Sequence, residues 1–185
     1  MKPGVRILAL DDSSFSKRDR KARIVGMIGR QGTVEGALSY FISVDGNDAT
    51  EKTINAIRGS RFANQIKLVA LQSLLFAGLN IMDMLQIKKE LNVEVVAITR
   101  KKPRNDMLLK AIKAAGVKDM EKREQALRNI SAHVDSYFLK GVYTKCTKGI
   151  GRKDLEVLLP EMLSLIRLAH IVATAVSAGE SGGAQ

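Results

Sequence analysis

Two short apolar runs constrain this chain more than anything else in it: IKLVAL at 66–71 and VEVVAI at 93–98. A run without polar alternation is what a strand covered on both faces looks like. Residues 80–91, between the runs, read as a helix, and residues 104–115 read as another that ends at Gly116. Strand–helix units of this length imply parallel neighbours joined by right-handed crossovers. Helices must then lie on both faces of the sheet.

What precedes these runs is different. Residues 5–10 and 22–29 read as strands, and Arg30-Gln31-Gly32 as a turn into a third. Residues 34–44 alternate with a period of two, Leu38, Tyr40, Ile42 and Val44 on one face and Ala37, Ser39, Phe41 and Ser43 on the other. Asp48-Ala49-Thr50-Glu51 has the form of a capping box, opening a helix through Ile54 and Ile57 that stops at Gly59. Residues 118–130 read as a charged amphipathic helix with Glu121, Arg123 and Glu124 on its exposed side. Residues 136–145 read as a further strand, and Pro160 as first-turn residue of a long C-terminal helix.

The expected fold class is α/β, with a ribonuclease H-like mixed sheet: a three-stranded antiparallel meander, then parallel strand–helix units, helices on both faces. A flavodoxin-like or Rossmann-like chain would open on a strand–helix unit, and no GxGxxG follows the first strand. Residues 1–178 read as a single domain and residues 179–185 (GESGGAQ) as a flexible tail.

Charge bears on partners. Thirty basic residues face nineteen acidic ones, for a net charge of +11. That excess attracts phosphate-rich polymers with a strong salt dependence, although a solvated lysine-rich surface also accounts for it. Aromatic residues make up 4% of the chain and Trp is absent, which argues against single-strand binding on an aromatic stacking platform. Cys146 is the only cysteine, so no intrachain disulfide can form and a reducing cytoplasmic setting is expected. No run approaches the ~20 apolar residues of a membrane span, and the N-terminus lacks a signal-peptide pattern.

The first strand ends in paired acids, Asp11 and Asp12 (ILALDDSS). Successive strand residues point to opposite faces, so Asp11 shares a face with Ile7 and Ala9, and Asp12 with Leu8 and Leu10. One carboxylate at a strand end can enter a Mg²⁺ site, since Mg²⁺ takes hard oxygen ligands and usually only one or two carboxylates. The other, followed by two serines, suits an Asx-turn. Asp45 and Asp48, in the turn after the third strand, are the remaining acids that could reach such a site, and turn and cap roles also account for them. On the C-terminal helix Arg167, His170, Thr174 and Ser177 form one polar stripe, facing solvent or a cleft. In a cleft, Arg167 would contact phosphate and His170 could serve as a general base. Basic clusters sit at 17–23 and 100–104 (RKKPR). The second lies at the carboxyl end of a parallel strand, where open α/β sheets place ligands.

The segments LALDDSSFSK, SVDGNDATEKTINAIRGSRFANQIKLVAL, FAGLNIMD, TRKKP and LPEMLSLIRLAHIVATAVSAGES resemble an uncharacterised, mainly archaeal family, number ninety-nine of the domains of unknown function, which is regarded as similar to endonuclease V. The resemblance spans nearly the whole chain and implies a ribonuclease H-like fold. Endonuclease V cuts beside deaminated bases using Mg²⁺ held by acidic residues. By this resemblance the first-strand aspartate is Asp11, as metal ligand and catalytic residue, and the intervening acid is matched best by Asp45. The later aspartate falls on Gln72 and its glycine on Ser73, so Mg²⁺ as cofactor would be held weakly. The resulting expectation is a nucleic-acid-binding protein with metal-dependent nuclease activity weak or lost. Its catalytic residues would be Asp11, Asp45 and His170, and its substrate contacts Lys101, Lys102, Arg104 and Arg167. An active Mg²⁺-dependent phosphodiesterase and a non-enzymatic protein-interaction module are the alternatives.

Overall fold

The computed structural model describes residues 4–16, 18–102, 105–117 and 119–180. In chain order the elements are β1 (Arg6–Asp12), β2 (Lys21–Arg30), β3 (Thr33–Ser43), α1 (Ala49–Arg58), β4 (Ile66–Leu71), β5 (Leu75–Phe76), β6 (Asn80–Ile81), α2 (Met84–Leu91), β7 (Glu94–Thr99), α3 (Asn105–Ala114), α4 (Met120–His133), β8 (Val134–Leu139), β9 (Val142–Thr147) and α5 (Arg152–Ala178). Seven strands form one mixed sheet in the order β3-β2-β1-β4-β7-β9-β8. β1, β2 and β3 pair antiparallel, β1–β4 and β4–β7 are parallel, and β7–β9 and β8–β9 are antiparallel. The sheet is therefore mostly antiparallel, with β4 and β7 as the parallel strands that their unbroken apolar runs imply.

Side-chain alternation sorts the core into two layers. Leu8, Leu10, Ile24, Ile42, Val69, Leu71, Val95 and Ala97 pack with Ile54 and Ile57 of α1, Met84 and Ile87 of α2, Ile112 of α3, and Leu127 and Ile130 of α4. Ile7, Ala9, Val25, Leu68, Ala70, Val96 and Ile98 pack under α5 through Leu155, Leu159, Met162, Leu165, Ala169 and Ala173. At 27 residues α5 is long and apolar enough to cross a membrane by length and composition. Here its inner stripe is core and its flank carries Arg167 and His170.

Several local expectations need correction. The helix expected over 80–91 begins only at Met84, because Asp83 caps it by accepting from the N–H groups of Leu85 and Gln86. Asn80 and Ile81 instead pair with β5. The capping box does not form: Asp48 turns back to accept from the N–H and hydroxyl of Ser43 and from Asn80, and the Asn80 side chain caps Ala49 in its place. Arg123 is buried, not exposed, its guanidinium donating to the carbonyls of Leu79 and Asp45. The single strand expected at 136–145 is a hairpin, β8 and β9, turning at Lys140 and Gly141 with φ of 48° and 83°, the pair of positive φ values that suits tight hairpins. Pro160 lies inside α5, since the helix starts at Arg152. Pro160 cannot donate to the carbonyl of Glu156 four residues back, and the Lys140 ammonium donates to that oxygen instead, at 3.2 Å. Of the C-terminal tail, residues 181–185 lie outside the described residues.

Candidate active site at the carboxyl edge of the sheet

β1, β4 and β7 run parallel, so their carboxyl ends meet along one edge. β1 delivers Asp11 there on the face covered by α5, and α5 delivers His170 opposite it. His170 Nδ1 lies 2.9 Å from Asp11 Oδ2, while Asp11 Oδ1 accepts from the Asp12 N–H at 2.9 Å. The Asp11 side chain is 3% exposed and the imidazole 45%. A buried carboxylate thus holds one ring nitrogen, and a half-exposed ring leaves the other available. Burial, then the neighbouring Asp12 charge, push the Asp11 carboxyl up to about 6, against the hydrogen bonds from Asp12 and His170. Asp12 is raised too, by burial, against the N–H of Ala77 that it accepts on the opposite face.

Asp11 and His170 line a cleft of about 900 Å³ with Gln72 and Ser73 from the end of β4, Thr99, Arg100 and Lys101 from the end of β7, Val142 of β9, and Arg167 of α5. Of the polar stripe on α5, Arg167 and His170 therefore face a cleft, and Ser177 at its far end lies 3.2 Å from Ser14 beyond β1. Asp11, His170, Lys101 and Arg167 come together. Lys102 lines smaller cavities alongside. Arg104 and Lys17 lie outside the described residues. Arg100, visible in the sequence only as the first member of RKKPR, lines the cleft as well. Asp45 is not among its lining residues: its carboxylate accepts from the Leu79 N–H at 2.9 Å. Gly78 allows this, since a Cβ there would stand 2.2 Å from Asp45 Oδ1.

Two features of this donor set weigh against a Mg²⁺ site built by the chain alone. Among the described residues that line the cleft Asp11 is the single carboxylate, with both oxygens already engaged in hydrogen bonds, and Gln72 adds a neutral amide where a second charge would be needed. Among the described residues no three His, Cys, Asp or Glu side chains converge as a metal set. What the site does offer is an oriented imidazole among cationic side chains.

A profile of the family described as endonuclease dU matches residues 3–177. The chain belongs to the endonuclease dU family. Its relatives include UPF0215 proteins of Thermococcus sibiricus, 35% identical over 98% of this chain and 96% of the relative, and of Methanothermobacter thermautotrophicus, 30% identical over 99% and 93%. A crystal structure of a protein of unknown function from Archaeoglobus fulgidus superposes with a TM-score of 0.82 at 29% identity, covering 93% of this chain and 98% of that one. Human ENDOV superposes with a TM-score of 0.56 at 11% identity, covering 95% and 86%, a likeness of fold. This endonuclease dU family member is thus an α/β protein of endonuclease V-like architecture, with its Asp11–His170 pair at the carboxyl edge of the sheet.

Proposed function

We propose that this protein binds nucleic acid along the cationic cleft and hydrolyses a phosphodiester beside a deaminated nucleoside, deoxyuridine being the one that its family description points to. The observation that carries this reading is the Asp11–His170 pair, 2.9 Å apart at the head of a cleft lined by Arg100, Lys101 and Arg167. In it Asp11 accepts from Nδ1–H and fixes the tautomer, leaving Nε2 to take a proton from water as the water oxygen bonds to phosphorus. The phosphorus–oxygen bond to the leaving sugar breaks, the departing oxygen takes up the proton that Nε2 gained, and the three cations stabilise the charge that develops on the phosphoryl oxygens. The ribonuclease H-like identity of the sheet belongs to this reading. It is supported by the antiparallel β1–β2–β3 start and the parallel β4 and β7.

Asp11 and a substrate phosphate would hold any Mg²⁺ between them. Asp45 is assigned to the turn and not to the chemistry. Gln72 favours a second reading, in which the cleft binds without cutting. One experiment separates them: duplex and single-stranded DNA carrying one deoxyuridine, assayed for binding at ~50 mM salt and for cleavage with Mg²⁺ and with chelator. Cleavage that disappears in His170→Gln supports the first reading, and tight binding without products supports the second. A wild-type protein that binds none of these DNAs refutes both.

A further inference from the structure

We infer that the tip of the β8–β9 hairpin is a base-stacking subsite, so that the strand held at Asp11–His170 is unpaired where it leaves the cleft. This rests on the nucleic-acid reading above and specifies its substrate. β9 runs antiparallel to β7 with Tyr143 opposite Thr99, which places the hairpin tip at the sheet edge that carries Asp11 and Gln72. Phe138 and Tyr143 are cross-strand partners and share a face, their ring centroids 4.7 Å apart and tilted at 43°. Phe138 is 59% exposed, the most open aromatic side chain among the exposed large hydrophobic residues described. A large ring held that open by its own hairpin contributes little to the core, and its face is free to receive another ring.

The surroundings match an anionic strand and not an apolar partner. Tyr143 borders two cavities of about 360 and 280 Å³, and both are also lined by Lys102 and Lys145. Lys145 is 8% exposed. The smaller cavity shares Ser73, Thr99 and Lys101 with the Asp11 cleft, so a path lined by cations leads over the carboxyl edge from the α5 face, which carries Asp11, to the opposite face, which carries Phe138 and Tyr143. β1 and β8, the strand that carries Phe138, are four positions apart in the sheet, about 19 Å at ~4.8 Å per strand, or roughly six nucleotides at a stacked rise of about 3.4 Å. Phosphates on the lysines with a base on the ring is the arrangement by which single strands are held without regard to sequence. Aromatic residues are too few here for a broad platform, but a single subsite needs only this pair.

The chain has no Trp, so Phe138→Trp places one fluorophore at the tip. The test titrates wild type, Phe138→Ala and Phe138→Trp with a deoxyuridine-containing single strand, its duplex, and single strands lacking one base at successive positions. The expected result is indole quenching by the single strand and about ten- to hundred-fold weaker binding by Phe138→Ala. Removing the base at one position, about six nucleotides from the deoxyuridine, should reproduce that loss. Undiminished binding by Phe138→Ala, or an indole unmoved by bound strand, overturns the subsite and leaves the cationic cleft standing. Wild-type protein that binds no strand at low salt overturns the cleft and the subsite together.

Discussion

Replacing Asp11 by Asn should stabilise the protein while disabling it. The carboxyl has a folded pKa of about 6 against an ordinary 3.8. Two units at about 1.4 kcal/mol each make its ionisation cost about 3 kcal/mol in the folded state. A raised folded pKa contributes stability that is whole below 3.8 and lost as pH rises through about 6. The penalty is therefore fully present at pH 8. Asn has the same shape, still accepts from the Asp12 N–H, and never ionises. Its advantage at pH 8 should approach about 3 kcal/mol, roughly 6 to 12 °C in Tm for a chain of this size. The advantage should shrink from pH 6 towards pH 4 and vanish below. Circular-dichroism melts of both proteins across pH 3 to 8 would show this. Catalysis should move the other way. An Asn amide facing Nδ1 favours the opposite imidazole tautomer, and loss of an orienting aspartate in this manner costs on the order of 10⁴-fold in turnover elsewhere. A variant no more stable than wild type at pH 8, or a gain that ignores pH, refutes the buried-carboxylate argument. Cleavage at the wild-type rate refutes the catalytic pair.

Other perturbations test the remaining parts. Arg167→Ala and Lys101→Ala should each weaken binding of all DNA sequences alike and lower the slope of log K against log salt by about one, measured by fluorescence anisotropy. Arg123→Met leaves the carbonyls of Leu79 and Asp45 without their buried guanidinium donor. It should cost about 2–4 kcal/mol in urea unfolding. Gly26→Ala puts a Cβ 2.7 Å from Leu8 Cδ1 and 2.8 Å from Leu10 Cδ2. Overpacking of that kind should cost about 1–3 kcal/mol, seen as a lower urea midpoint at unchanged slope. Asp45→Asn should leave cleavage and binding within about twofold of wild type, since its carboxylate serves the Leu79 N–H outside the cleft.

The parts of the fold legible in the sequence are those set by local chemistry. IKLVAL and VEVVAI become the parallel strands because, Lys67 and Glu94 at their starts apart, their residues are buried on both faces. The alternation from Leu38 to Ile42 becomes β3 with Tyr40 inward, where its hydroxyl lies 2.6 Å from that of Thr53 on α1. What the sequence misplaces is set at long range. Pro160 looks like a helix start until Lys140, twenty residues earlier, supplies a donor for the stranded Glu156 carbonyl. Arg123 looks like a surface residue because its acceptors are backbone carbonyls, and no residue type announces a carbonyl. Asp48 has every mark of a helix cap, yet Ser43 and Asn80 together offer its carboxylate more donors than the first helical turn does.

The site divides along the same line. The opposite facing of Asp11 and Asp12 follows from strand geometry alone, and the two do part: Asp11 meets His170, and Asp12 meets the Ala77 N–H. That His170 is Asp11's partner could not be read locally, because 159 residues separate them. Only the helical spacing of Arg167, His170 and Thr174 marked a polar flank on an otherwise apolar helix. The pairing also changes what Gln72 means. With a metal as the sole source of catalysis, a neutral residue at the end of β4 would be a defect. Beside an imidazole already oriented by Asp11, a second carboxylate would repel the substrate phosphate that Arg100, Lys101 and Arg167 attract. A neutral amide there keeps the cleft cationic. Gln72→Asp therefore weighs the two chemistries against each other. Mg²⁺-dependent cleavage that rises in this variant favours the metal route, whereas weaker DNA binding with no gain in metal response favours the histidine.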